Sequence, residues 1–139
     1  MADFMRTCTP EGDYRSFEYT IESGVTKIIG TLYIINDTWA ITFASEDNHL
    51  GGESVGSIIV AGKKVTMIYN CEKIMVAKAA GSGTAISVGE KVYVDHAVKD
   101  VYNTNAVDRT CIGICVRCVG DDAEEVMIDL KGDSMTDQA

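Results

Sequence analysis

The chain has 139 residues, 46% of them hydrophobic, enough for one domain that removes about two thirds of its extended surface from water without a disulfide framework. Its 12 basic and 21 acidic residues leave a formal charge of −9, which argues against a nucleic-acid backbone as partner, since neutralising phosphates takes clustered Lys and Arg. Nowhere does it offer the roughly 18 consecutive apolar residues of a membrane-spanning helix.

Residues 1–13 show no hydrophobic period and hold the single proline, Pro10, in a Thr-Pro-Glu-Gly turn signal. They read as an arm, with Phe4, Met5 and Arg6 as its candidate anchors on a partner. The opening MADFMRTCTPEGDYR lacks the apolar stretch of a secretory leader, so the product is expected to stay in the cytoplasm. The odd set Cys8, Cys71, Cys111, Cys115 and Cys118 is then expected as free thiols in a reducing compartment.

Alternation begins at Arg15. Phe17, Tyr19 and Ile21 share one face, against Ser16, Glu18 and Thr20, as side chains do along a half-buried strand. Apolar runs at 25–29 and 32–35 follow around Gly30. Asn36-Asp37 turns the chain into a strand with Trp39, Ile41 and Phe43 on one face. The stretch 45–54, SEDNHLGGES, reads as a surface loop. Strand-like runs resume at 55–60, 64–69 and 72–77, with breaks at Ala61-Gly62 and Asn70-Cys71. Gly81-Ser82-Gly83 reads as a flexible connection into the second half.

In that half, Val92 and Val94 point inward from Lys91, Tyr93 and Asp95, and Val126, Ile128 and Leu130 form another inward row. Between them, strict alternation over 110–119 predicts Ile112, Ile114, Val116 and Cys118 on an apolar face and Cys111 and Cys115 opposite. The last residues are acidic: from Gly120 to Ala139 seven acids stand against Lys131 alone, a solvated turn and tail by default. No long amphipathic helix and no internal repeat is present, so nine to eleven short strands in a compact barrel or sandwich are expected.

Candidate chemistry is thin. Cys111-x3-Cys115-x2-Cys118 has the spacing of the iron–sulfur motif of radical enzymes that use S-adenosylmethionine. Such a cluster needs three thiolates converging from a loop, whereas a strand divides these between two faces; zinc would want a fourth ligand. Gly56 to Lys64 is similar to a phosphate-binding loop but has five residues between its glycines and no Ser or Thr after the lysine. Asp95 and His96, adjacent in sequence, diverge if extended and make no triad with a nucleophile. No catalytic residue, metal or cofactor is therefore expected.

One order of pieces is more specific: Lys78-Ala79-Ala80-Gly81, then Gly89-Glu90-Lys91-Val92-Tyr93, a polar strand ending near Asn103-Thr104-Asn105, Ile112-Gly113-Ile114, an acidic Gly turn and Val126-Met127-Ile128-Asp129-Leu130. Over residues 55 to 130, and more weakly over 14 to 54, this resembles the capsid decoration, or cement, proteins of tailed bacteriophages. The chain departs from that pattern at Val94, where an aromatic is more usual, and in its three cysteines around Ile112. The resemblance implies an all-β, β-tulip-like domain of short antiparallel strands at 14–131, between an N-terminal arm at 1–13 and a polar tail at 132–139. It further implies a structural virion protein, made in the host cytoplasm, that sits on the outer capsid surface. There it would bind the major capsid protein as a homotrimer at three-fold and local three-fold positions, with no nucleic acid or membrane as partner. The rival reading is a β-rich interaction module elsewhere in the virion, a tail component or receptor-binding domain.

Overall fold

The structure, a computed structural model, describes residues 10–48, 54–133 and 136–137. The chain is all-β. Eleven strands are seen among the described residues: β1 (Glu11–Thr20), β2 (Lys27–Ile28), β3 (Leu32–Ile35), β4 (Thr38–Ser45), β5 (Ile58–Ile59), β6 (Lys64–Ala77), β7 (Lys91–Asp95), β8 (Val101–Tyr102), β9 (Arg109–Arg117), β10 (Glu125–Lys131) and β11 (Thr136–Asp137). Nine join one strongly curled half-barrel sheet, and β2 and β5 form a separate ribbon.

The sheet is built on β6. β1 and β4 both pair with Val65–Ile68, so they occupy opposite edges; β1 and β10 both pair with Asn70 and Cys71, so they do too. β4 and β10 therefore lie end to end along the same edge of β6. Gly132 fills the junction: its N–H donates to Tyr69 O at 2.8 Å and its carbonyl accepts from Trp39 N at 3.1 Å. A Cβ there would fall on the carbonyl oxygen of Trp39.

Asn70-Cys71, expected as a break, lies inside the strand. Arg15 pairs with Asn70 and Ser16 with Ile68, which leaves Tyr69 unpaired as a β-bulge. A bulge bends a strand and shifts its side-chain alternation by one. Met67 consequently faces an outer cluster and Cys71, fully buried, the main core. The main core gathers Trp39, Ile41, Ile68, Ile74, Val92, Ile112, Ile128 and Leu130 from β4, β6, β7, β9 and β10, each buried side chain contributing about 1.5–3 kcal/mol. The outer cluster holds Ile21, Ala40, Val65 and Met67 beneath the half-exposed rings of Phe17, Tyr19, Tyr33 and Tyr69. Lying between the two, β4 buries both faces, Trp39 and Ile41 on one and Ala40 on the other. The β3–β4 hairpin turns where expected, with Asn36 at positive φ.

On the other side, β10, β9, β7 and β8 follow in order, and a parallel bridge from Val101 to Lys78 returns β8 to the end of β6. The predicted inward rows of β7 and β10 are buried, Val92 and Val94 on one and Val126, Ile128 and Leu130 on the other.

Three boundaries shift. β1 starts at Glu11, so the last residues of the expected arm already belong to the sheet. Gly81-Ser82-Gly83 is a hydrogen-bonded turn rather than a flexible connection, since Gly81 N donates to Asp121 O at 2.8 Å and Gly81 O accepts from Thr84 N at 3.3 Å. The expected polar tail re-enters the sheet, β11 pairing with Thr110 and Cys111 of β9.

Candidate functional site

The anchors expected from the sequence, Phe4, Met5 and Arg6, lie outside the described residues. His96 stands in the turn after β7. Its Nε2 is 2.7 Å from Thr110 Oγ1 and its ring stacks on Trp39 at 5.7 Å. The Asp95 carboxylate caps the same turn, accepting from Val98 N and Ala97 N at 3.1 and 2.9 Å. Those amides, with Arg109 3.8 Å away, hold its carboxyl below the usual range. Both residues fasten a turn.

The cysteines of the Cys111 cluster are separated, but not as strict alternation predicts. Ile112 is a bulge between the residues facing β7, and Val116 another towards β10. After the first, Cys115 is buried instead of exposed and Ile114 is 46% exposed instead of inward. Cys118, expected on the apolar face, is exposed, and Cys111 is half-buried. The Cys115 thiol donates to Arg117 O at 3.1 Å, and burial pushes its pKa up, the opposite of an activated thiol. Among the described residues no three His, Cys, Asp or Glu side chains gather around one point.

An open cleft of about 380 Å³ beside β1 is lined by Asp13, Tyr14, Arg15, Asn70, Glu72 and Lys131. Its mixed charges suit a protein surface contact better than the enclosed, largely apolar pocket a small ligand requires. Among the described residues β1 pairs only with β6.

The more pointed surface is the β2–β5 ribbon. Ile28 pairs with Ile58 and Lys27 with Ile59. Alternation sends the second pair inward: Ile59 packs on the outer cluster, and the Lys27 ammonium lies over the Tyr33 ring at 4.3 Å from its centroid. The first pair then faces solvent together with Val60, two residues after Ile58 on the same face. Ile28, Ile58 and Val60 are 37%, 64% and 54% exposed. The ribbon is held in place, because Ile29 N donates to Ser57 O, Gly56 N to Ile29 O, and Ile28 N to the Tyr33 hydroxyl, at 2.8–2.9 Å. Three aliphatic side chains fixed on one outward face are what a partner can bury. Sequence reading took both segments as strands but could not say which face lacked a cover.

No protein-family model, no curated protein and no solved structure matches the chain.

Proposed function

We propose that this chain is a non-enzymatic virion protein that binds the outside of an icosahedral phage head and cements neighbouring major capsid subunits. The resemblance to phage decoration proteins supports the reading, and its motif residues have scaffold roles. Lys78 is enclosed by loops, Glu90 accepts from Ser87 N and Asn103 Nδ2, and a Cβ at Gly113 would strike the Asp129 carbonyl. The resembling pieces thus speak for the fold, and contact chemistry has to come from elsewhere. The observation that carries the functional reading is the outward aliphatic face of Ile28, Ile58 and Val60. Burying it on a capsid lattice supplies binding free energy, and a trimeric arrangement would multiply one modest contact by avidity. Phe4, Met5 and Arg6 are the second proposed contact.

Binding to purified heads that lack the protein tests this. Wild type should bind expanded heads better than precursor heads and raise the temperature at which DNA-filled heads survive, because a ligand stabilises the state that displays its site. The triple variant I28S/I58S/V60S should bind at least about tenfold more weakly, the equivalent of about 1.4 kcal/mol. Undiminished binding by that variant would move the contact off the ribbon. Failure of wild type to bind heads would leave the tail or receptor-binding module as the better reading.

A further inference from the structure

Directly after β6, Lys78 is 3% exposed. Its Nζ lies 2.7 Å from Ala79 O, 2.9 Å from Thr84 Oγ1, 3.0 Å from Ala123 O and 3.2 Å from Asp121 O. An ammonium has three N–H groups, so the four oxygens share them. None of the four is a carboxylate oxygen. The Asp121 carboxylate is engaged elsewhere, its Oδ1 accepting from Thr84 N at 3.1 Å and Ala85 N at 2.9 Å. The Thr84 hydroxyl is 2.6 Å from Gly81 O and 2.9 Å from Asp121 O. Its single proton goes to one of these, which leaves a lone pair for Nζ.

These oxygens come from two loops, 79–85 and 120–124, which the pairing of β10 with the end of β6 brings together. Lys78 N donates to Glu124 O at 2.9 Å, and Lys78 bridges Val101. Three carbonyl dipoles aimed at one point repel one another, and each buried acceptor left unmade is destabilising. A buried cation without partners is more costly still. Each side of the arrangement is tolerable only through the other. Neutral oxygens alone, with no carboxylate, also distinguish the cage from a divalent-ion site, whose hard cation draws acidic ligands.

We infer that this junction is a binding site for a primary ammonium ion, built from three carbonyls and a hydroxyl, which the chain fills with its own Lys78. Lys78 is accordingly a positioning residue: its charge and N–H groups, more than its aliphatic stem, order both loops. This does not rest on the proposed capsid function.

Truncation separates stem from ammonium. K78M keeps an aliphatic stem and loses the N–H groups; K78A removes the stem and empties the cage. Both should lose roughly 10 °C in Tm, the cost of several unmade hydrogen bonds. In K78A, ethylammonium chloride should restore Tm saturably. Tetramethylammonium chloride at equal ionic strength, which carries the charge but no N–H, should not, and neither salt should distinguish itself on wild type. Equal response of K78A to the two salts, or a K78M as stable as wild type, would overturn the inference. Should K78A fail to fold, wild type decides: the Lys78 ammonium protons should exchange slowly enough to give a 1H–15N correlation at neutral pH, and exchange as fast as that of the exposed lysines would refute the cage.

Discussion

One strand, β6, runs through two different environments. Its second half, Asn70–Ala77, pairs with β10 and belongs to the ring that β9, β7 and β8 complete. There the inward rows of β6, β7 and β10 are buried, with Ile114 of β9 turned outward, and several polar groups are tied: Lys78 in its cage, Glu90 on Ser87 N, Asp95 on the turn amides. Its first half, Lys64–Tyr69, lies between β1 and β4 under an outer cluster of half-exposed rings, with a ribbon beside it whose Ile28, Ile58 and Val60 are exposed. The bulge at Tyr69 divides the two. The ring holds the fold together, whereas the outer layer keeps apolar surface available for a partner, so stability and binding should respond to different substitutions.

The largest effect should come where the halves meet. Gly132→Ala places a methyl on the Trp39 carbonyl, and Gly113→Ala places one on the Asp129 carbonyl inside the ring. Backbone cannot yield as a flexible side chain can, so each should cost more than about 4 kcal/mol or prevent folding. Gly120→Ala, where a Cβ meets nothing within 4 Å, should stay within about 0.5 kcal/mol. Urea denaturation of the three variants checks this, and a stable, soluble G132A would show that β4 and β10 do not abut as described.

A smaller effect distinguishes the ring by pH. Glu90 is held below the usual carboxylate range first by Ser87 N, then by Asn103; Asp95 first by Val98 N, against some burial, and then by Ala97 N and Arg109. A depressed folded-state pKa contributes stability that is present above the unfolded value, about 4, and lost as pH falls through the folded one. E90Q and D95N should therefore lower Tm at pH 7 and converge on wild type in acid. Asp100 has the opposite sign: burial first, then the Asp95 charge, raises its pKa. Its contribution is complete below about pH 4 and lost as pH rises through the folded value, so D100N should gain on wild type at pH 7 and lose that gain at pH 3. A Tm–pH series across the three variants reads both signs.

How much of this was readable from sequence follows the same division. Where a strand alternates without interruption, as at Val92 and Val94 or Val126, Ile128 and Leu130, the buried face was legible. So was the hairpin at Asn36-Asp37. Bulges were not, because the extra residue is set by the register of the neighbouring strand and not by local composition. Tyr69 turned an apparent break into a continuous strand, and Ile112 reversed the faces of Ile114 and Cys115. Lys78 was unreadable as a buried group for a different reason: its oxygens come from residues 79, 84, 121 and 123, and a lone lysine in sequence reads as surface. Ile28, Ile58 and Val60 were readable as strand but not as exposed, since the ribbon has only two short strands and local alternation does not say which of its faces packs on the sheet.

That exposure predicts a still smaller effect on stability. The triple serine variant of the ribbon removes side chains that are 37–64% exposed, so its Tm should move by no more than about 2–4 °C, the shift of about 1 kcal/mol in a domain of this size, while the proposed head binding should fall. A loss as large as that of K78A would mean that the ribbon is part of the core, and would remove the separation between holding and binding.

The smallest effect concerns the thiols. Cys118 lies beyond the Val116 bulge and is exposed, Cys111 is half-buried opposite Tyr93, and Cys71 and Cys115 are buried. Burial raises the pKa of both buried thiols, with their S–H groups pointing at Lys73 O and Arg117 O. Since the thiolate is the reactive form and access limits the rest, Cys118 should be alkylated first, Cys111 more slowly, and Cys71 and Cys115 only as the protein unfolds. This reverses the order that strict alternation predicts, in which Cys118 would be slowest. Alkylation of Cys118 should leave Tm unchanged, because the added group stays in solvent. Timed iodoacetamide labelling with peptide mass spectrometry measures the order. If Cys115 in the native protein reacts before Cys118, β9 carries no bulge at Ile112, and the faces of that strand, with the ring built on them, would have to be reassigned.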